Sequence, residues 1–170
     1  MGFKIFSVNE YLTSPDVNAY LAQQQFVRKT ANESVTSSTT VQDDNDLAMT
    51  LAANTVYWLD GMLITDGALA GDFRLQFVVP SGTIRWLANG PVSGATVTVT
   101  DVDRNWKVGS ATTVLGTIAS GTSSIVHVAG IIRTGASGGT FKLQWAQGSS
   151  SGTATRVFAN SFLRCTRMMP

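Results

Sequence analysis

Residues 31–64 constrain the fold most, because this stretch alternates strand-forming and turn-forming residues and ends in the most apolar run of the chain. Ser, Thr and Val fill residues 34–41, and β-branched residues favour strands. Asp43, Asp44 and Asp46 predict a turn, since short polar side chains bond their own backbone. Alternation over 47–51 indicates a half-buried strand. Residues 56–64 are apolar on both faces except at Asp60, which predicts a strand covered on both sides.

Further strand patterns fill the rest of the chain. Alternation over 73–79 is followed by a Pro-Ser-Gly turn, which predicts a hairpin onto residues 83–87. Other strand-like runs cover 95–100, 112–119 and 141–145, and residues 124–133 form a second strongly apolar run. Strands recurring every 8–12 residues or so with Gly, Pro and Ser turns are typical of an antiparallel β-sandwich. We expect an all-β, jelly-roll-like sandwich.

The N-terminal 25 residues differ from this pattern. Residues 3–6 suit a short extended arm, and Ser14, Pro15 and Asp16 suit a helix start with its cap, first-turn proline and acid. Val17 and Tyr20 begin one apolar face of a helix that ends near residue 25. Such a short helix must dock on something to be stable. We therefore divide the chain into an arm with one helix (1–25) and a sandwich body (26–170).

Composition and charge narrow the function. Charged residues make up 14% of the chain, against about 25% in typical soluble domains. Gly, Ser and Thr take their place, and such a composition suits the loops of an all-β protein or a surface covered by other subunits. All 11 acidic residues lie in 1–103, whereas 104–170 holds seven basic residues and no acid. This division could place patches of opposite charge on different faces, which would favour self-association. Alternatively, strands from the two parts interleave, and their charges neutralise one another locally. The basic residues are scattered, so we expect no nucleic-acid binding.

One motif matches a catalytic sequence pattern but lacks the surrounding elements that the pattern requires. Residues 135–139 read GASGG and match the G-x-S-x-G pattern of hydrolase nucleophiles. That site needs a strand before it, a helix after it and a histidine later in the chain. Strand-like residues follow Ser137, the single histidine His127 lies upstream, and no acid follows Asp103. We expect no catalytic residues and no enzymatic activity.

Metal and cofactor sites are not expected either. One histidine and one cysteine do not supply the ligands of a nitrogen- and sulfur-bound zinc ion. Asp43, Asp44 and Asp46 offer oxygen ligands for Ca²⁺, but the Gly and distal Glu of the EF-hand loop are missing. The lone Cys165 forms no disulfide within the chain and is predicted to be a small buried hydrophobe.

The aromatic residues offer one candidate for ligand contact. Trp58 and Trp145 lie on alternating apolar strands, which predicts core positions. Trp106 lies in the polar run DVDRNWK, which predicts an exposed loop, and is the best candidate for contact with a ligand such as a sugar. His127 alternates with valines, which predicts a core or interface histidine. The chain has no secretion signal pattern and no membrane-spanning run, so we expect synthesis in a host cytoplasm and no membrane partner.

A resemblance rests on three strings of sequence. FSVNEYLTSPDVNAYLAQQQFVRK resembles the opening of virion structural proteins from tailed bacteriophages of actinobacteria. ESVTSSTTVQDDNDLAMTLAANTVYWLDGMLI looks like the body module of small virion proteins of the same phages, and GTFKLQWAQGSSSGTATRVFANSFLRCTRM resembles its final strands. These strings cover the two ends of the chain, whereas the middle is similar only in β character. Related proteins are minor tail proteins, fibres or capsid-surface proteins.

The resemblance implies a non-enzymatic virion structural protein. It would be a homotrimeric surface appendage, either a capsid decoration or head fibre or a minor tail protein, similar to the jelly-roll trimers of fibre knobs. Its partners would be its own copies and the major capsid protein or a tail protein. A tail-associated receptor- or glycan-binding module, with Trp106 on a host-surface glycan, is the alternative. Particle attachment is assigned to apolar residues of the arm and helix: Phe3, Ile5, Phe6, Val17, Tyr20 and Leu21.

Overall fold

The structure, a computed structural model, describes residues 7–11, 13, 23–94 and 102–168. These residues contain strands and no helix. The strands are β1 (Gln24–Arg28), β2 (Glu33–Val35), β3 (Gln42–Leu51), β4 (Val56–Asp66), β5 (Phe73–Val78), β6 (Thr83–Pro91), β7 (Val102–Val108), β8 (Thr113–Leu115), β9 (Ser124–Arg133), β10 (Gly139–Gln147), β11 (Thr155–Val157) and β12 (Phe162–Met168).

The strands form two antiparallel sheets. The large sheet runs in the order β1-β12-β4-β9-β6-β7, with β11 paired to β4 and β2 paired to β11. The small sheet runs in the order β3-β10-β5-β8. Because side chains alternate along each strand, every central strand gives one face to the space between the sheets. The result is a β-sandwich, as the strand spacing predicts.

Aromatic side chains fill the space between the sheets. Phe77 of the small sheet meets Trp86 of the large sheet edge to face, with ring centroids 4.9 Å apart. Phe77 also stacks on Phe141 of the neighbouring strand at 5.2 Å. Trp86 and Trp145 are fully buried, and aromatic residues contribute most buried apolar area per side chain. One continuous core therefore joins the two sheets.

The predicted hairpin between residues 73–79 and 83–87 is wrong. Strand β5 pairs with β10 and β8 in the small sheet, whereas β6 pairs with β9 and β7 in the large one. The turn at Pro80, Ser81 and Gly82 carries the chain across the core. Gly82 has φ +92°, and a Cβ there would lie 2.0 Å from the Arg133 carbonyl oxygen. The turn signal predicted the reversal but did not identify the sheet that the next strand joins.

The acidic segment is also placed differently from the prediction. Asp43, Asp44 and Asp46 lie within β3, where the pairing with β10 shifts register between Lys142 and Gln144. Asp44 Oδ1 accepts hydrogen bonds from the backbone N–H groups of Asp46 and Leu47. The expected bonding of a short carboxylate to its own backbone is therefore present, but it occurs at an irregularity inside β3, where residues 43–48 oppose only residues 142–144, and not between two strands.

Other boundaries shift or cannot be compared. Residues 14–22 of the predicted helix and the strand-like run 95–100 lie outside the described residues. The predicted end of the helix is wrong, because Gln24 and Gln25 begin β1. Within 34–41 only the end of β2 is strand, and 112–119 shortens to β8. In the part of the chain that the structure describes, no helix has the length and apolarity needed to cross a membrane.

Candidate interaction surface

The side of the large sheet that faces away from the small sheet carries several exposed large hydrophobic residues. Alternation along six strands places every second residue there, and cross-strand partners in register share that side. We call this surface the outer face. It consists of Gln24, Phe26 and Arg28 on β1; Phe162, Arg164, Thr166 and Met168 on β12; Val56, Trp58, Asp60, Met62 and Ile64 on β4; Ile125, His127, Ala129, Ile131 and Arg133 on β9; Thr83, Arg85, Leu87, Asn89 and Pro91 on β6; and Val102, Arg104, Trp106 and Val108 on β7.

Most exposed large hydrophobic residues of the described chain lie on this face. Single exposed apolar residues are ordinary, whereas a contiguous group on one face marks an interaction site. Ten such residues are exposed in the described part of the chain, and seven belong to the outer face: Phe26, Trp58, Val102, Trp106, Val108, Ile125 and Met168.

Two tryptophans open onto one hollow in the outer face. Trp58 is 48% exposed and Trp106 is 63% exposed, and both line a hollow of about 250 Å³. Leu87, Ala129 and Ile131 form apolar parts of its wall. A shallow apolar hollow with aromatic walls is suited to receive an apolar side chain or the flat face of a ring. We call it the tryptophan hollow.

A small ionic network lies beside the hollow. Arg164 Nη2 donates to Asp60 Oδ2 at 2.6 Å, and His127 Nε2 lies 3.2 Å from Asp60 Oδ1. All three side chains are partly exposed. His127 is aligned with Met62 and Asn89 on the neighbouring strands, and neither carries a hydroxyl or thiol. The network thus resembles the acid and base of a triad without an adjacent nucleophile.

The serine of the GASGG motif is not placed as in a nucleophile elbow. Ser137 lies in the connection between β9 and β10, and its carbonyl oxygen accepts a bond from the Ser81 hydroxyl. A strand, and not a helix, follows it. His127 lies six residues before the end of β9, about 20 Å along the strand from the start of that connection. The structure does not bring this serine and histidine together.

The acidic residues of β3 are used for internal bonds. Lys29 is 1% exposed, and its Nζ lies 2.9 Å from both carboxylate oxygens of Asp44 and 2.6 Å from Glu33 Oε2. Trp145 Nε1 donates to Asp44 Oδ2 at 3.0 Å. Desolvation lowers the pKa of Lys29, but its hydrogen bonds to Glu33 and Asp44 outweigh this effect and raise the pKa. Within the described residues no group of three His, Cys, Asp or Glu could hold a metal ion.

Local pairing accounts for part of the charge division of the sequence. Lys142 binds Asp43, Arg156 binds Asp66, and Arg164 binds Asp60. Each pair joins the basic C-terminal part of the chain to the acidic N-terminal part. Of the two alternatives, interleaving of the strands therefore accounts for these charges.

Several predicted positions can be compared directly. Trp145 and Cys165 are buried as predicted, and burial raises the pKa of the Cys165 thiol to about 12. The core prediction for Trp58 is wrong, because it lies on the outer face. Trp106 is exposed as predicted, but it lies in β7 and not in a loop. The attachment residues lie outside the described residues: Phe3, Ile5, Phe6, Val17, Tyr20 and Leu21.

Sequence reasoning did not identify the outer face. The available signal was the run 56–64, which is apolar on both faces, together with the second apolar run at 124–133. Such runs predict strands covered on both sides. In the described residues, however, β4 and β9 are covered only on the side of the small sheet.

Comparisons with known proteins give no family. No family model matches the chain, and no curated protein matches it. Among solved structures it is similar to the Eiger TNF from S. frugiperda, at 8% identity and a TM-score of 0.39 over 86% of this chain and 92% of that one. The tripod from the baseplate of bacteriophage Tuc2009 gives 10% identity and a TM-score of 0.33 over 99% and 75%.

A third likeness is to a protein of infectious bursal disease virus Gt strain. It has 7% identity and a TM-score of 0.21 over 85% of this chain and 40% of that chain. All three scores are too low to establish a common fold, and we base no argument about function on them. The resemblance to phages of actinobacteria stays a prediction from the sequence strings.

Proposed function

We propose that this chain is a non-enzymatic structural protein of a bacteriophage virion, forming a homotrimeric appendage on the particle surface. It would decorate the capsid or form a head fibre or minor tail protein, and its sandwich would have the jelly-roll form found in fibre knobs. The observation that supports this most is the outer face, with seven exposed large hydrophobic residues on one sheet. An apolar surface of this kind suits assembly with other proteins more than it suits catalysis.

Particle attachment is assigned in this proposal to the N-terminal arm and helix. Recombinant protein lacking residues 1–22 keeps β1, which begins at Gln24, so the sandwich should fold. We expect the truncated protein to lose the helical part of the circular dichroism spectrum, to keep the strand signal and the melting temperature, and not to bind particles that lack the protein. Normal loading of the truncated protein onto such particles would refute the attachment assignment. Labelled-antibody electron microscopy of intact particles would locate the protein on the capsid or the tail.

A glycan-binding module is the second candidate, and the tryptophan hollow favours it. Trp58 and Trp106 are both exposed in one shallow site, and aromatic faces suit the apolar side of a sugar ring. Trp106→Ala should then abolish binding to host cells or host glycans and leave the melting temperature unchanged. If wild-type protein binds neither host cells nor glycans, this second candidate is excluded.

A further inference from the structure

The two outer surfaces of the sandwich differ in a way that one chain does not explain. The small sheet turns polar side chains outward, among them Asp43, Lys142 and Gln144, which bond to one another. This is the usual solvent face of an antiparallel sheet. The outer face of the large sheet contains no Lys and no Glu, and its charged side chains are Asp60 and five arginines, of which Arg85 lines the tryptophan hollow. Interface centres are likewise depleted in Lys and Glu and enriched in Trp and Arg.

The strand sequences carry the same signal. Strands β4 (VYWLDGMLITD) and β9 (SIVHVAGIIR) carry apolar side chains on both faces, except for Asp60, His127 and Arg133 on the outer one, and such runs are typical of strands covered on both sides. Among the described residues, the small sheet covers one side of these strands, and nothing covers the other. A covering partner therefore accounts for a pattern that the described part of the chain leaves unexplained.

The area of the outer face fits a protein partner. Six strands at about 4.8 Å and outward rows that extend about 25–30 Å give a surface on the order of 700 Å², close to the roughly 800 Å² that each partner contributes to a standard interface. Covering it would not isolate the charge of Asp60, which is already bonded to Arg164 and His127. Buried ion pairs are tolerated only when both members are paired, so the remaining arginines of the face must meet acidic groups of the partner or stay at the solvent-exposed rim of the contact.

We propose that the outer face is buried against further copies of this chain, with Trp58 and Trp106 at the centre of the contact. This rests on the proposed homotrimer and identifies its interface. In the proposed homotrimer, other copies of the chain are always present to cover this face. Attachment to the particle is assigned to a different part of the chain, the N-terminal segment. The tryptophan hollow then receives apolar side chains of the neighbouring copy.

The test compares the full-length wild type with the double variant Trp58→Ser/Trp106→Ser by sedimentation equilibrium. Losing one hot-spot tryptophan raises an interface Kd by about thirtyfold or more, so the double variant should be monomeric where the wild type is trimeric. Leu69→Ser is the matched control, since Leu69 is 40% exposed but lies off the outer face, and it should stay trimeric. The single variant Trp58→Phe keeps an aromatic ring at this position. It should form trimers more weakly than the wild type but more strongly than the double variant.

A second measurement needs no variant and covers the case in which the double variant does not fold. Trp86 and Trp145 are buried within one chain, so the accessible tryptophan fluorescence reports only Trp58 and Trp106. Acrylamide quenching should be weak in the trimer and rise on dilution as the trimer dissociates. Strong quenching in an intact trimer would overturn the interface assignment.

The outcomes separate the interface from the proposed function. A trimer that survives the double substitution refutes this interface and leaves the homotrimer standing. A wild type that is monomeric at every concentration refutes both. A monomer with both tryptophans already shielded from acrylamide would mean that another part of the same chain covers the face, which also overturns the proposal.

Discussion

Trp58 and Trp106 lie on strands separated by two others, yet their side chains line the same hollow on the large sheet. Ala129 and Leu87, aligned in register on the two intervening strands, keep the space between them low and apolar. The two largest side chains of the outer face therefore act on one site. In our proposal, this site is buried between copies of the chain, and the apolar pattern of β4 reflects that contact.

The buried ion pair between Lys29 and Asp44 should be essential for stability. Asp44→Asn takes the fully buried carboxylate from Lys29, which is 1% exposed, and leaves Glu33 as its remaining close charged partner. Breaking a buried pair outright costs about 3–5 kcal/mol, so we expect urea unfolding to show a loss of up to this size in the free energy of unfolding. The control Asp43→Asn removes an exposed pair with Lys142 and should cost less than about 1 kcal/mol. Equal effects of the two substitutions would contradict the assigned role of Asp44.

The raised pKa of Lys29 predicts a loss of stability at alkaline pH. Its folded-state pKa lies above the ordinary 10.5 because Glu33 and Asp44 bind the charged form. The stabilisation is therefore complete below 10.5 and is lost as pH rises through the higher folded-state pKa. The stability difference between wild type and Lys29→Met should stay constant at neutral pH and shrink above about pH 10. A difference that grows with alkaline pH would contradict the sign of the shift.

Gly130 allows β6 and β9 to approach closely beneath the tryptophan hollow. A Cβ at this position would lie 2.6 Å from the Arg85 carbonyl oxygen and 2.9 Å from Trp86 Cβ. Gly130→Ala should therefore destabilise the fold by about 1–3 kcal/mol, as overpacking does, measured by thermal or urea unfolding. Gly152→Ala is the matched control, since a Cβ there meets nothing within 4 Å. A wild-type melting temperature for Gly130→Ala would argue against the described spacing of the two strands.

The Cys165 thiol should be inert in the folded protein. Burial raises its pKa to about 12, so the reactive thiolate is scarce at mildly alkaline pH. We expect no reaction with a disulfide reagent at about pH 8 in native buffer, and one thiol per chain after denaturation. Rapid labelling of the native protein would show that β12 opens more easily than its packing implies.

The sequence predicted strands well where side chains alternate between core and surface. Phe73, Leu75 and Phe77 are fully buried on β5, and the alternation around Trp145 marks β10 correctly. The pairing of strands was harder to predict from the sequence, because the turn after β5 specifies a change of direction but not the sheet that β6 joins. The acidic segment of β3 was misjudged since an irregularity inside a strand and a turn use the same bonds from carboxylate to backbone.

The candidate surface was the least predictable part. The pattern around Trp58 indicates that both faces of β4 are covered, but it does not say whether the cover comes from the same chain. Only the strand order shows that β4 is central in a sheet whose second side no described residue covers. Trp106 was identified as exposed, but its proximity to Trp58 depends on pairing between residues far apart in sequence.

The most direct measurement is the mass of the purified wild-type protein by sedimentation equilibrium at micromolar concentration. Our account predicts a species of three times 18.1 kDa, with the outer faces buried between copies. A single species of 18.1 kDa across the whole concentration range would contradict it.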